Sequence, residues 1–313
     1  MEDKLSKMLY ELNSEYIELA NSKGNKRRKN FSHFKNSLSK LNFQYLLDKI
    51  ASIKKTKKKY TDDLTRFQTE PSRNEALNTF GDGTFSQSKI AVYTCITSDY
   101  DNIMEPIYCN ANCDYYIVTD KDVPKDSYWT KIDINQFKLN YLKSNEKNRF
   151  IKLHPHLLFQ DYDYSLYVDG NIRIMADIVP LVAQMGNSVL GVHRHNKRDC
   201  IYTEANVIVD HKRFAEFRDM ALKQIEFYKQ EGLKEHQGLY ENPILIRKHN
   251  DKKCIELMNA WWGEMNRFTM RDQLSLPYVL WKFGIKEDDI CILGNNVKMN
   301  PRFRKYTHNM DSE

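Results

Sequence analysis

From Lys89 to about residue 284, short runs of β-branched and aromatic residues alternate with segments of helical character, and this alternation constrains the fold most strongly. KIAVYTCIT, beginning at Lys89, reads as a buried strand, Ile103 to Asn110 as a helix, and DYYIVTD as a second strand ending in an acid. Residues 145–160 read as a helix and YSLYVD as a third strand. SVLGVH then reads as a strand, residues 213–231 as a long helix, NPILIRK as a strand, and residues 251–284 as two helices. The pattern predicts an α/β domain around a largely parallel sheet, with ligands beyond the carboxyl ends of the strands. The first three strands all end in polar residues: Thr94 to Thr97 with Asp99, Thr119 with Asp120, and Asp169 with Asn171.

Ahead of this lies a segment of different texture. Leu5, Leu9, Leu12, Tyr16 and Leu19, then Phe34, Leu38, Leu41 and Tyr45, follow a 4-3-4-3 spacing that predicts two antiparallel helices. Residues 1–60 carry fifteen Lys and Arg against six acids, a balance of +9, so the remainder of a chain of net charge +6 sums to −3. The basic clusters KRRK and KKTKKK suit a solvated face, a partner-docking or homo-oligomeric hairpin, or an anionic membrane surface. Nucleic acid is not the expected partner, because the body is acidic and lacks a recognition motif. Residues 61–88 read as a linker and residues 89–313 as the principal domain. The chain has no apolar run of about 18 residues and no positive-then-apolar start. The expected location is cytoplasmic, including the inner face of a membrane. Six scattered cysteines lack a zinc-site spacing and read as reduced and packed.

Several clusters carry chemistry. Asp169 and Asn171, separated by Gly170 at the end of a buried strand, can present two hard oxygen donors to Mg²⁺ or Mn²⁺, with a diphosphate completing the coordination. An ordinary Asp-Gly hairpin turn is the alternative. Arg149, Lys152, His154 and His156 lie on a helix leading to that strand, where cations can neutralise a diphosphate. His193, Arg194, His195, Arg198, Tyr202 and Glu204 form a group able to grip an anionic sugar or phosphate. Tyr240, Glu241 and Asn242 stand just before an apolar strand, either reading sugar hydroxyls or closing a turn. Asp272 suits the first turn of a helix, although capping alone does not call for Arg271 and Gln273 beside it. Trp261 and Trp262 read as core, or as a wall for a sugar.

HPHLLFQDYDYSLYVDGNIRI, RDCIYTEA, GLYENPILIR and RDQLSLPYV, in that order, resemble the family long labelled domain of unknown function 616. That family includes plant pectin-related glycosyltransferases and bacterial polysaccharide-cluster proteins. The resemblance covers roughly residues 89–308 and implies a GT-A-like fold distantly similar to retaining family 8 glycosyltransferases. It implies that Asp169, Gly170 and Asn171 occupy the Asp-x-Asp position, with Asn171 replacing the second acid. It implies a Mn²⁺ or Mg²⁺ site of Asp169, Asn171 and a late histidine, His308 or, second, His249. Thr94, Thr97, Asp99 and Asp120 would meet the nucleoside, with Arg149 and Lys152 on the donor. Asp272 and Gln273 would face the reacting sugar, with Glu241 or Asp272 as base if the reaction inverts. His193, Arg194, Tyr202, Glu204, Tyr240 and Asn242 would hold the acceptor. The activity implied is transfer from a nucleotide sugar, of UDP type, to a glycan or glycolipid hydroxyl in capsule- or lipopolysaccharide-type synthesis. A noncatalytic glycan-binding scaffold is the alternative.

Overall fold

The computed structural model describes residues 88–98, 100–210 and 216–306. The expected helical hairpin of residues 1–60, the linker up to residue 87, Asp99 and His308 lie outside the described residues.

Strand β1 (Ile90–Ile96) is buried along its whole length, as its continuous apolar sequence requires of a strand covered on both faces. Beside it run β2 (Cys113–Thr119), β3 (Thr130–Asp133) and β4 (Tyr164–Val168). After β4 come β5 (Ile172–Ile174), β6 (Leu190–Arg194), β7 (Tyr240–Arg247), β8 (Cys291–Ile292) and β9 (Phe303–Lys305). Seven strands form one sheet in the order β3-β2-β1-β4-β7-β6-β8, and β5 pairs with β9 in a separate ribbon. All pairings in the large sheet are parallel except those of β7, which runs antiparallel to β4 and β6. This mixed, mostly parallel α/β architecture agrees with the GT-A-like expectation.

The helices are α1 (Ser144–Leu153), α2 (Val179–Ala183), α3 (Ile201–Asp210), α4 (Arg218–Gln230), α5 (Lys252–Arg267) and α6 (Asp272–Lys282). Alternate residues of the central strands feed two cores, as the period of two demands. Ala91, Tyr93 and Tyr167 pack with α5 and α6 residues such as Trp261 and Leu276. Val92, Leu166, Val168 and Ile246 pack with Ile172, Leu181 and Phe303 on the other side.

Three local expectations are corrected. Residues 103–110 form no helix: Pro106 cannot donate to a helical ladder, and the segment instead docks on the β5 region, Ile107 N–H donating to Ile174 O at 2.8 Å. The helix expected over 145–160 stops at Leu153, because Pro155 disfavours helical geometry at His154. The RDCIYTEA segment, expected as part of a loop after the SVLGVH strand, is mostly helix α3, which carries Tyr202 and Glu204.

Candidate functional site

Because β7 runs against its neighbours, its first residues lie at the same sheet edge as the carboxyl ends of β1, β2, β4, β6 and β8. At this edge the chain leaves β4 through Asp169-Gly170-Asn171. The Asp169 amide donates to Pro243 O at 2.8 Å, and Ile172 N–H donates back to Asp169 O at 2.9 Å. The segment is therefore a turn, and it also moves the chain out of the large sheet into the β5–β9 ribbon. A Cβ on Gly170 would stand 2.9 Å from Ile96 Cγ1 and 3.0 Å from Asp101 Oδ2. Gly170→Ala is expected to cost roughly 1–3 kcal/mol by overpacking, measurable as a lowered urea midpoint at unchanged slope.

Asp169 follows Val168 in the alternation and so shares the helix-covered side with Tyr167. There α1 presents Arg149 and Lys152, spaced three apart on one helical face. Lys152 is fully buried. Its Nζ lies 2.8 Å from Asp272 Oδ2 and 3.4 Å from Asp169 Oδ1. Arg149 lies outside it, Nη1 3.8 Å from Asp169 Oδ1 and Nε 3.9 Å from Asp272 Oδ2. Burial pushes both carboxyls up in pKa, but the Lys152 ammonium and the Arg149 guanidinium outweigh it and hold both below the ordinary range, Asp272 far below. Both acids are thus ionised at neutral pH, and the four groups form a compact, charge-balanced cluster.

The cluster is held from behind. Tyr93 Oη donates to Lys152 O at 2.8 Å, Arg247 Nη1 donates to the same carbonyl, and Arg247 Nη2 donates to Tyr93 Oη at 2.6 Å. A cation at the end of α1 also suits the helix dipole. On α5, Trp261 Nε1 donates to Asp272 O at 3.2 Å and to Ser275 Oγ at 3.0 Å, fixing the start of α6. Trp261 is fully buried and belongs to the core.

The other expected site residues are placed as follows. Thr97 Oγ1 donates to Ser144 O at 2.9 Å, and Asp120 accepts Ser98 N–H at 3.1 Å, joining the ends of β1 and β2 to the start of α1 beside the cluster. Thr94 is buried within β1. Gln273, half-buried, accepts from Arg271 Nη2 at 3.4 Å. Glu241 accepts Val297 N–H at 2.9 Å, and burial raises its carboxyl pKa despite that bond. The expected acceptor group is brought together in part: across β6 and β7 Arg194 is the register partner of Tyr240 and His193 that of Glu241, and Glu204 acts on the Glu241 carboxyl. His193 is wholly buried against Asn300, Arg194 pairs with Glu287 at 2.6 Å, and Tyr202 Oη donates to Leu233 O. Glu204 accepts from Arg198 Nε at 2.6 Å. Tyr240 and Asn242 are buried, and neither polar atom of the Asn242 amide has a partner. His249 sits at the far end of the sheet, beyond the Arg247–Ser165 register pair, with Nε2 on Phe159 O, and is remote from Asp169. Spacing gave no sign of Asp101, buried beneath Gly170, or of the exposed Tyr100, whose hydroxyl interacts with Arg149.

A divalent cation of the Asp-x-Asp kind is a poor fit to this edge. Asp169 Oδ1 already faces two cations, and the Asn171 amide is buried with its Nδ2 donating to Tyr306 O at 2.8 Å. Among the described residues no group of three His, Cys, Asp or Glu can hold a metal ion. The six cysteines are free, five of them buried.

Burial lowers the pKa of His154 to about 4 and of His193 to about 3. The folded state thus binds these protons less readily than the unfolded chain, so the stability they contribute is present above pH ~6.5 and lost as pH falls. Between pH 7 and pH 5 the two together are expected to remove roughly 3–4 kcal/mol, read from urea midpoints across that range. His195, lowered likewise to about 4, adds a share of the same size, so His193→Asn should flatten the profile by about a third.

Residues 68–308 match the family described as TOD1/MUCI70, glycosyltransferase-like domain. The chain is 27% identical over 164 residues to the "Probable hexosyltransferase MUCI70" of Arabidopsis thaliana, a stretch that is 47% of this chain and 27% of that protein. The chain thus spans about a quarter of that relative's length. Among solved structures, it is similar to the WbbM bifunctional glycosyltransferase at 13% identity and TM-score 0.41, covering 62% of this chain and 37% of that one. It is also similar to the galactosyltransferase LgtC, solved with donor and acceptor sugar analogues, at 11% identity and TM-score 0.41, covering 69% and 86%. With its family match running from the linker to the end of the described sheet, the chain belongs to the TOD1/MUCI70 glycosyltransferase-like family.

Proposed function

We propose that the domain transfers a hexosyl or uronosyl unit from a nucleotide-diphosphate donor, a UDP-sugar, to a hydroxyl of a glycan or glycolipid during surface-polysaccharide synthesis. The observation that supports this reading best is the Arg149–Lys152–Asp169–Asp272 cluster at the carboxyl edge of the sheet. In such a reaction the bond from the anomeric carbon to the diphosphate oxygen breaks, and charge builds on the departing diphosphate. Fixed cations aimed at that charge lower the barrier without reorganising. Arg149 and Lys152 supply them, and the two carboxylates hold them in place before substrate arrives. Asp272 and Gln273, opening α6, flank the reacting sugar, and Thr97, Ser98 and Asp120 border the nucleoside. Retention is the stereochemical course we assign, with Gln273 supporting the positive anomeric centre while the acceptor attacks beside the leaving group.

Nucleotide release from a panel of nucleotide sugars tests the reading. Release from one donor, falling at least about 10³-fold in Asp169→Ala, supports it, since fixed electrostatic groups contribute on that scale. Absence of both release and nucleotide binding would overturn it. The anomeric configuration of the product, read by NMR, tests retention.

The resemblance also implies Mn²⁺ or Mg²⁺, but no step is assigned to a metal, because the described donors do not make its site. The basic segment 1–60 is assigned to docking on an anionic membrane surface, a polysaccharide-assembly partner or a second copy. Removing residues 1–85 is expected to leave donor hydrolysis within about twofold while abolishing binding to anionic vesicles, since each Lys or Arg near such a surface contributes about 1 kcal/mol. Loss of hydrolysis would place the domain boundary elsewhere.

A further inference from the structure

We infer that Lys152 is a built-in counter-cation that takes the place of a divalent metal, so that this protein binds and turns over its donor in the presence of chelator. The inference rests on the transferase reading above and adds how that site neutralises the diphosphate.

The argument begins with burial. A lysine side chain with 1% of its surface exposed is rare unless its charge is paired. Lys152 is paired twice, to carboxylates that lie 120 and 17 residues away in sequence. Its Nζ also stands 5.0 Å from the centroid of the Tyr167 ring, whose face favours a cation. Arg247 and Tyr93 fix the Lys152 carbonyl. The ammonium is thus held by three separate elements, with little freedom to withdraw for an incoming ion.

The carboxylates complete the argument. Asp169 and Asp272 keep 23% and 12% of their side-chain surface exposed against 1% for Lys152, so the acids reach solvent and Lys152 lies beneath them. Lys152 and Arg149 approach the same oxygen of each acid, Oδ1 of Asp169 and Oδ2 of Asp272. Two negative charges are thereby balanced by two positive ones. A divalent ion needs several hard oxygen ligands with uncompensated negative charge, and at this edge it would instead meet two fixed cations. The Asn171 amide adds no charge. A diphosphate meets the opposite situation: it can share the cations that the carboxylates hold in position, which favours the charged leaving group.

Calorimetric titration of UDP and of GDP into the full chain tests this, with EDTA or with Mn²⁺, on the wild type, Lys152→Met and Lys152→Arg. Manganese EPR on the wild type reports metal directly. The expected result is a nucleotide Kd that agrees within twofold between EDTA and Mn²⁺, and no stoichiometric Mn²⁺ in the wild type with nucleotide bound. Lys152→Met is expected to weaken nucleotide binding at least tenfold, and Lys152→Arg to recover part of it. Wild-type binding that falls tenfold or more in EDTA, or one tightly bound Mn²⁺ per chain, would overturn the inference while leaving the transferase reading intact. Absence of nucleotide binding in every arm would overturn that reading and this inference with it. Should Lys152→Met fail to fold, the wild-type arms decide the matter alone.

Discussion

Asp272→Ala is expected to lower folding stability by about 3–5 kcal/mol and to reduce nucleotide release at least about 10³-fold, because removing one partner of a buried ion pair strands the other. The stranded charge is Lys152, left with Asp169 at 3.4 Å and no partner at 2.8 Å. Asp272→Asn separates the two effects. The amide fills the same volume and still accepts a hydrogen bond, so stability should fall less than in the alanine variant. Activity should fall nearly as far, because the negative charge that holds Lys152 and Arg149 is gone. Urea unfolding and single-turnover nucleotide release on the same preparations check both. An alanine variant as stable as the wild type would show that the Lys152 charge is not confined as described.

The second large effect belongs to Trp261. Trp261→Ala is expected to cost about 3–5 kcal/mol, the range for emptying a fully buried aromatic site. Trp261→Phe fills most of the volume but removes the donor that reaches Asp272 O and Ser275 Oγ. It should cost about 1–2 kcal/mol, the penalty for a lost buried hydrogen bond. Its kcat should fall about tenfold, since small misplacement of a catalytic group is costly, with donor KM nearly unchanged. A phenylalanine variant with wild-type kcat would place Trp261 in the core alone.

The legible parts of the fold were those in which one physical signal dominates. β1 and β4 are buried runs of residues that suit a strand, so their sequence alone carries them. The 103–110 segment has comparable apolar content, but Pro106 and a tertiary bond to Ile174 decide its shape. The site was legible in pieces. Arg149, Lys152 and Asp169 stand close enough in sequence for a helix-turn-strand reading to group them. Asp272 joins them only through the packing of α5 against both α6 and α1, which no local spacing encodes. The direction of β7 has no local signature: running antiparallel, it brings the expected Glu241 and Asn242 to the carboxyl edge and sends His249, which the resemblance alone implied, to the opposite end. The expected acceptor residues gathered only in part: β6 and β7 set Arg194 beside Tyr240, while α3 carries Tyr202 to the Leu233 carbonyl and β6 turns His193 inward.

The β5–β9 ribbon has a consequence for the order in which the protein is made. Asn171 Nδ2 meets Tyr306 O across 135 residues, and Ile172 pairs with Lys305. A ribosome that has just released Asp169 and Asn171 must add all of those residues before their covering strand exists, at roughly 5–20 residues per second. For that interval the turn bearing Asp169 has its strand but not its clasp. The edge that bears Asp169 is therefore among the last parts of the domain to close, and long-range closure of this kind is intrinsically slow.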